Sequence, residues 1–539
     1  MSTTFFKYLP LQMVPKLALA ARPLLLALGC CLAAPFGVHA MGTFNSATNL
    51  LAMEQLTVTG LGAYKNVTAT VHSYSLLGVD NGAPRADAFD PVTQLLTLGT
   101  VTFEGKTYNN VRVKIGTHTL LGATFSGATS QAQTTPLAPT TPTTPTVTYY
   151  FSDCQAGAVA GCLPGNNANP GTRAAPKRDL AGVLVNALPA GAELLFARGG
   201  VWTNFNAFLD NRNATVAAPL VFASYTPAWA TSISAAPEIR SSTIAFNIGG
   251  SYGNTISDGG YTIRGFKLNG AGTGNTAFFV SSTTRGILVE DNEITGFTLG
   301  FNVQNVGPDG NQGLVVRNNN IHHNSGMGFL GEAYGLVIEG NNFANNNFSG
   351  SSFNHAIYIG GRGTNGIIRN NTLTNNSVVN GICTGGNMTI HGQWDGFLIE
   401  GNTITQDAAV GGCYGVSVTP GYASAEFFRN FVVRNNTVVN VGGCALCFGA
   451  AISPLVENNL LINRNNSWMS GVVLAANVTA PGVGGDDIDS GAVIRNNTVC
   501  FVYPRPESQQ VATANAGQVT VSGTVYRTGA DATTGPCAR

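Results

Sequence analysis

The sequence predicts an all-β chain: a solenoid of stacked parallel coils with a small β module ahead of it. Three observations lead there. One short phrase recurs nine times at uneven spacing: IRGFKL, VEDNEI, VRNNNI, IEGNNF, IRNNTL, IEGNTI, VRNNTV, VENNLL and IRNNTV. An aliphatic residue stands at a fixed offset on each side of the phrase's Asn column. Only 10% of residues are charged while Gly numbers 67, a balance that suits a turn-rich β protein and excludes a long disordered acidic or basic chain.

Residues 1–40 read as an export signal. Lys7, Lys16 and Arg22 precede the apolar run PLLLALGCCLAAPFG, and Val38-His39-Ala40 makes a small-residue cleavage site. A rival reading acylates Cys30. No later stretch is long and apolar enough to span a membrane. Without those three cations, 24 of the 27 Lys plus Arg remain against 27 Asp plus Glu. The exported protein is slightly acidic and has no basic stripe, which argues against nucleic acid. Eight of the 10 Cys lie beyond residue 40, an even number that favours disulfides in an exported chain. Cys154–Cys162 and Cys500–Cys537 read as local staples; Cys383, Cys413, Cys444 and Cys447 allow three pairings. Cys444 and Cys447 also form a lone CxxC, for which zinc or redox chemistry is the rival reading.

Residues 41–123 read as a small β module with an internal echo, 56–78 resembling 96–122. In VRVKI, Val111, Val113 and Ile115 alternate with the period of a half-buried strand. Residues 124–147 form a linker around TTPLAPTTPTTPT, which cannot build a core. The domain from 148 to 539 opens with a predicted capping helix: Leu180, Val183, Leu184 and Ala187 share a helical face, with Pro176 in its first turn. Such a helix would cover the open end of a stacked sheet.

The recurring phrase then defines the coils. Spacings of 26, 27, 22, 30, 31, 34, 23 and 38 residues separate its charged position, as expected for coils carrying inserted loops. Ile263, Val289, Val316, Ile338, Ile368, Ile399, Val433, Val456 and Ile494 precede the Asn column by three. Leu268, Ile294, Ile321, Phe343, Leu373, Ile404, Val438, Leu461 and Val499 follow it by two, and both sets are expected to point inward. Between them Asn292, Asn319, Asn341, Asn371, Asn402, Asn436, Asn459 and Asn497 are expected to take the left-handed turn and to bond amide to amide; Phe266 stands in that column on the first coil. The charge alternates without exception through Arg264, Glu290, Arg317, Glu339, Arg369, Glu400, Arg434, Glu457 and Arg495. Stacked about 4.8 Å apart, like charges would repel, so the column reads as a solvent-facing ladder.

The YYF…NPGT…AAP…LPAGAELLFARGGVW opening and the IRNNTL-type repeats resemble the right-handed parallel β-helix superfamily of pectate-lyase-like proteins over about residues 148–505. The resemblance implies three sheets wound into one cylinder and, often, action on polysaccharides. Narrower signatures are missing. The Asn-Thr-Asp, Asp-Asp and Gly-His-Gly motifs of polygalacturonase-type hydrolases have one partial match, Gly485-Asp486-Asp487, and the Trp-Ile-Asp-His phrase of pectate lyases is absent.

Three functions compete. The first is a lyase or epimerase of an acidic, uronate-containing glycan, which needs a cation for the carboxylate, a base, and an acid for the leaving oxygen. The second is a non-catalytic surface, adhesion or glycan-binding rod. The third is a glycoside hydrolase using Asp395 and Glu426 as paired carboxylates. A second recurring strand, read as MGFLG, HAIYI, GICTG, YGVSV, ALCFG and SGVVL, is followed by inserted residues that would form a wall beside a groove. His355 or His391 is the expected base, Tyr358 the proton donor and Arg362 the carboxylate partner. Glu332, Asn380, Trp394, Asp395, Tyr414, Tyr422 and Glu426 are the substrate-binding candidates, with Trp394 stacking on a sugar. Asp486, Asp487 and Asp489 lie close enough in sequence to offer calcium three carboxylates, against a polar surface turn as the alternative. The partner expected is a polysaccharide and the protein a monomer, secreted or at the cell surface.

Overall fold

The computed structural model describes residues 42–45, 50–58, 62–80, 86–90, 95–103, 106–125 and 147–538, the last span without 231–234, 250–257, 282, 305–309, 407–409, 412, 423, 466–468, 475–485 and 514–518. The expected export signal, Cys30 and the Thr/Pro run lie outside these residues. The chain divides into two compact units, Met1–Ala138 and Pro139–Arg539.

In the first unit Leu50–Val58 and Gly62–Val79 pair antiparallel, as do Leu95–Phe103 and Lys106–Phe125, and the two hairpins join through their longer strands. The short strand Gly42–Asn45 pairs with both Leu50–Val58 and Leu95–Phe103, and Ala88–Asp90 bridges the same two strands. The sheet therefore closes on itself and, among the described residues, leaves no long free edge. Val111, Val113 and Ile115 are buried in its core with Leu51, Met53 and Leu96.

The second unit is a right-handed parallel β-helix, with a 13-stranded sheet, a 21-stranded sheet and a four-stranded sheet whose rungs all pair parallel. One coil runs Ile367–Arg369, Thr372–Thr374, Gly386–Ile390 and Gln393–Asp395 before returning at Leu398–Glu400. Both aliphatic columns point inward, every member at most 1% exposed. Phe246, Phe278, Phe301 and Phe329 stack beside them on consecutive coils. Removing this apolar surface from water is the main favourable term of the fold.

From Asn292 to Asn497 each buried Asn donates Nδ2–H to the Oδ1 of the next Asn at 2.9–3.1 Å. That Oδ1 also accepts the preceding ladder Asn's backbone N–H. The left-handed turn is made one residue earlier than expected, by Asp291, Asn318, Gly340, Asn370, Gly401, Asn435, Asn458 and Asn496. The division has a physical reason: the exposed residue takes the positive φ, and the buried one satisfies backbone groups that water cannot reach. A second ladder, Asn324, Asn346 and Asn376, runs at the next corner.

The charged column stacks in register from Arg264 to Arg495. Each glutamate is gripped by the arginine of the following coil: Arg317–Glu290 2.7 Å, Arg369–Glu339 2.6 Å, Arg434–Glu400 2.7 Å and Arg495–Glu457 2.7 Å.

The capping helix is corrected. Only Val185–Ala187 forms a single 3-10 turn, and Leu184 is 76% exposed. Asp179 draws its own backbone into a turn by accepting the Ala181 N–H, Gly182 sits at φ +78°, and Pro189 follows. Helix propensity does not survive those three breaks. Leu180, Val183 and Val185 still pack against the core of this end. Disulfides join Cys154–Cys162, Cys383–Cys413, Cys444–Cys447 and Cys500–Cys537, consistent with an oxidising compartment. Among the described residues no helix is long and apolar enough to cross a membrane.

Candidate functional site

The second strand of successive coils is Phe329–Gly331, His355–Ile359, Gly386–Ile390, Tyr414–Val418 and Cys444–Phe448. Register places Tyr358 beside Thr389, Ser417 and Cys447 in turn. The segment GICTG is not a rung. Val378–Val379 and Ile382–Cys383 form a side hairpin, with Asn380 in its turn at φ +52°, and GNMTI takes the place in the sheet. Asn380 is thereby off the sheet face where the sequence had put it.

The expected wall of loops is a parallel sheet, Arg362–Thr364, Gln393–Asp395 and Phe427–Arg429, continued by Ala451–Ile452. Strand alternation turns the middle residue of each inward. Trp394 is 0% exposed, donates Nε1–H to the His391 carbonyl at 3.1 Å and packs edge-on against Phe397. A Cβ at Gly363 would meet the Trp394 ring at 2.2 Å, so glycine is the residue that fits there. Trp394 is a core residue with no face for a sugar. Asp395 is exposed and accepts a 2.6 Å bond from Asn430 Nδ2.

Four rings run in a row on the outer face where these sheets meet. Their centroid separations are 5.5 Å for His355–Tyr358, 5.4 Å for Tyr358–His391 and 5.6 Å for His391–Tyr422. Glycines make the approach possible. A Cβ at Gly386 would meet His355 Nδ1 at 2.8 Å, one at Gly421 would meet His391 Cε1 at 2.6 Å, and one at Gly360 would meet the Tyr422 hydroxyl at 2.7 Å.

The two imidazoles hold opposite tautomers. The Gly386 N–H donates to His355 Nδ1 at 2.9 Å, so the hydrogen of the neutral ring is on Nε2. Burial, with the charge of His391 adding to it, pushes the His355 pKa down to about 4, and the ring is neutral at physiological pH. At His391 the partner of Nδ1 is the Thr419 carbonyl, which only accepts; Nδ1 therefore donates, and in the neutral ring the lone pair is on Nε2.

The phenols are ordered as well. Tyr358 and Tyr422 hydroxyl oxygens lie 3.0 Å apart. Burial raises both pKa values, so both phenols keep their hydrogens, and either hydroxyl can donate to the other. The Tyr422 oxygen also accepts the Gly361 N–H, and Tyr422 is the more exposed of the two at 37%.

Arg362 follows Gly361 directly and its side chain is exposed; its backbone N–H donates to Glu332 Oε2 at 2.7 Å. That carboxylate lies over Gly361, where a Cβ would collide with it. Among the described residues Arg362 has no ion-pair partner. Tyr414 is 43% exposed on the rung beyond Gly386.

Glu426 is not available for paired-carboxylate hydrolysis. It is 1% exposed and accepts the N–H of Gly392 at 2.5 Å, of Gly421 at 2.5 Å and of Tyr422 at 2.6 Å. The calcium candidates are likewise committed to separate partners. Asp486 accepts the Glu426 N–H at 2.8 Å, Asp487 pairs with Arg429 at 2.7 Å, and Asp489 accepts the Ala451 N–H at 2.7 Å. Among the described residues no three His, Cys, Asp or Glu side chains converge as a metal site.

The structure thus brings together His355, Tyr358, His391 and Tyr422, with Glu332 and Arg362 at Gly361. It leaves Asn380, Trp394 and the three late aspartates out. The glycines that let the rings close up, and the Thr419 carbonyl, were missed; a glycine adjacent to each of His391 and Tyr422, and two residues after Tyr358, was the available signal.

Fold and site together define a right-handed parallel β-helix protein with an imidazole–phenol cluster on its outer face. No protein-family model matches the chain, and no curated protein matches it. Among solved structures it is similar to the A-module of mannuronan C-5 epimerase AlgE6 from Azotobacter vinelandii, at 16% identity and a TM-score of 0.42, covering 64% of this chain and 88% of that one. A GH136 lacto-N-biosidase from Eubacterium ramulus gives 13% and 0.43, covering 71% and 68%. The Streptococcus pneumoniae surface protein and adhesin PfbA gives 12% and 0.35, covering 69% and 96%. Identities this low say nothing of activity.

Proposed function

We propose that the protein acts on an acidic, uronate-containing extracellular polysaccharide as a lyase or C5-epimerase. The observation that carries this reading is the His391–Tyr422 pair: Nδ1 of His391 is spent on the Thr419 carbonyl, so the neutral ring offers Nε2 beside the exposed Tyr422 phenol. Removal of the proton next to a uronate carboxylate needs that pair, because the base must be neutral and the acid protonated at the same pH. Arg362 neutralises the carboxylate, which lowers the acidity barrier at C5. His391 takes the C5 proton, and in elimination the electron pair of that bond becomes the C4=C5 double bond as the C4–O bond breaks. Tyr422 gives its hydrogen to the leaving oxygen. In epimerisation no C4–O bond breaks, and the Tyr422 hydrogen is instead added to C5 from the face opposite the proton that His391 removed. Of the two candidate imidazoles His391 is the base, because the Nε2 of His355 holds a hydrogen, and Tyr422 replaces Tyr358 as acid, because it is the more exposed phenol.

Incubating the protein with polyuronates separates the outcomes. Elimination gives the ultraviolet absorbance of an unsaturated uronate; epimerisation in D2O labels C5 with deuterium. His391→Gln and Tyr422→Phe are expected to lower either rate about 10²- to 10⁴-fold. Binding without product or label overturns the proposal and favours a glycan-binding rod. One observation supports that second reading: Ile382 and Tyr414 are 50% and 43% exposed, each next to a cysteine of the Cys383–Cys413 disulfide that braces them.

A further inference from the structure

Glu426 is a buried carboxylate beside the site, 1% exposed, and the chemistry above makes no use of it. Its two oxygens face two different segments. Oε1 accepts the N–H of Gly392, the residue after His391, and Oε2 accepts those of Gly421 and Tyr422. Gly392 lies at φ +101° with its Cα against the Gly361 carbonyl, and Gly421 lies flat on the His391 ring. Neither segment has regular strand structure at that point, so the carboxylate stands in for ladder bonds they lack. Glu426 is itself fixed from behind, where its own N–H donates to Asp486 Oδ1 and Asp486 is 4% exposed.

We propose that Glu426 is a positioning residue that ties the base-bearing and acid-bearing segments into one unit, with Asp486 as its backing. The proposal rests on the reading of His391 as base and Tyr422 as acid. An ionised carboxylate suits the task because it is an acceptor only, with room for three N–H groups and no donor to clash with them. Its charge has a second consequence, since Glu426 adds to the burial that keeps both Tyr358 and Tyr422 protonated.

Two substitutions in the full-length protein test the bridge. In Glu426→Gln the amide oxygen can still accept from Gly421 and Tyr422, but its NH2 then meets the Gly392 N–H donor to donor. Glu426→Ala releases all three. Hydrogen exchange read by mass spectrometry is expected to speed up about tenfold or more in peptides containing Gly392 for both variants, and in those containing Gly421 and Tyr422 for the Ala variant only. The phenol titration followed in the ultraviolet should move to lower pH in Glu426→Gln, an effect that a purely structural brace would not produce. On a confirmed polyuronate, kcat should fall about 10- to 100-fold in Glu426→Gln with KM within about twofold, since misplacement of a reacting group acts on the chemical step. Unchanged exchange at Gly392, or full kcat in the Gln variant, overturns the bridge. Faster exchange at Gly392 with no turnover of any polyuronate by the wild type supports the bridge and overturns the proposed reaction instead.

Discussion

At the scale of single residues, backbone partners decide what each side chain can do. A carbonyl at Thr419 makes His391 an acceptor at Nε2, and an N–H at Gly386 makes His355 a donor there. Neither partner is legible from side-chain types, which is why His355 and His391 were interchangeable in the sequence. Trp394 shows the same limit from the other side: an aromatic in an inserted segment reads as a sugar platform until alternation on the third sheet turns it into the core. His355 also gives a pH prediction. Its folded pKa of about 4 lies below the ordinary 6.5, so the folded protein binds fewer protons than the unfolded chain between those values. The contribution is fully present above pH 6.5 and is lost as pH falls toward 4, up to about 3 kcal/mol. Buried Asp258 and Asp489, raised by burial to about 6, act in the opposite direction, losing their contribution as pH rises through 6. A comparison with His355→Gln removes them from the difference. Denaturation at pH 7 and at pH 4.5 should show the wild type losing stability relative to the variant at the lower pH; a constant difference would mean that the ring is not held neutral by the fold.

At the scale of elements, two columns run along the same corner of the rod, and their magnitudes differ. The Arg–Glu ladder is half-buried, with Glu290 and Glu457 at 7% and 8% exposure instead of facing solvent, and pairs such as Arg369–Glu339, whose side chains are 38% and 23% exposed, are worth up to about 1 kcal/mol each. The Asn ladder is buried. Asn371 Oδ1 accepts from the backbone and the amide of Asn341, and its Nδ2 donates to Asn402 and to the Ile338 carbonyl. Asn371→Ala strands those groups away from water and should cost about 3 kcal/mol or more. Glu339→Arg, which puts three cations in sequence, should cost about 1 kcal/mol and be partly restored by Arg369→Glu in the same chain, less so at high salt. Equal losses from Asn371→Ala and Glu339→Arg in urea denaturation would contradict this ordering. Both columns were visible in the sequence because they sit inside one repeated phrase. The third sheet was not. Its strands RGT, QWD and FFR share no phrase, and their inward residues are Gly363, Trp394 and Phe428, filling one space by complementary size instead of repetition. The capping segment failed for a related reason: Leu180 and Val183 carry the apolar spacing of a helix, while Asp179, Gly182 and Pro189 break the backbone that the spacing requires.

At the scale of the whole molecule, the two units have separate cores that share no residue, one around Leu51, Met53 and Val67 and the other running from Phe151 to Val511. A solenoid is stabilised coil upon coil, so its weak points are its ends. At the N-terminal end the strand Thr148–Phe151 pairs with Glu193–Ala197, and Phe151 stacks on Phe196 at 5.0 Å. Leu180, Val183 and Val185 cover the same core from the turns between them. A fragment that begins at Pro139 keeps all of this and is expected to be soluble, with the same cooperative melting of the β-helix as the full chain. A fragment that begins after Leu188 loses the first strand and its cover. It leaves Glu193–Ala197 as a free parallel edge with Phe196 uncovered, an arrangement that pairs readily with another chain. That fragment should aggregate or form concentration-dependent oligomers by light scattering, while the longer one stays monodisperse. A monodisperse short fragment that melts like the full chain would show that the first strand and the turns behind it are not what closes the rod.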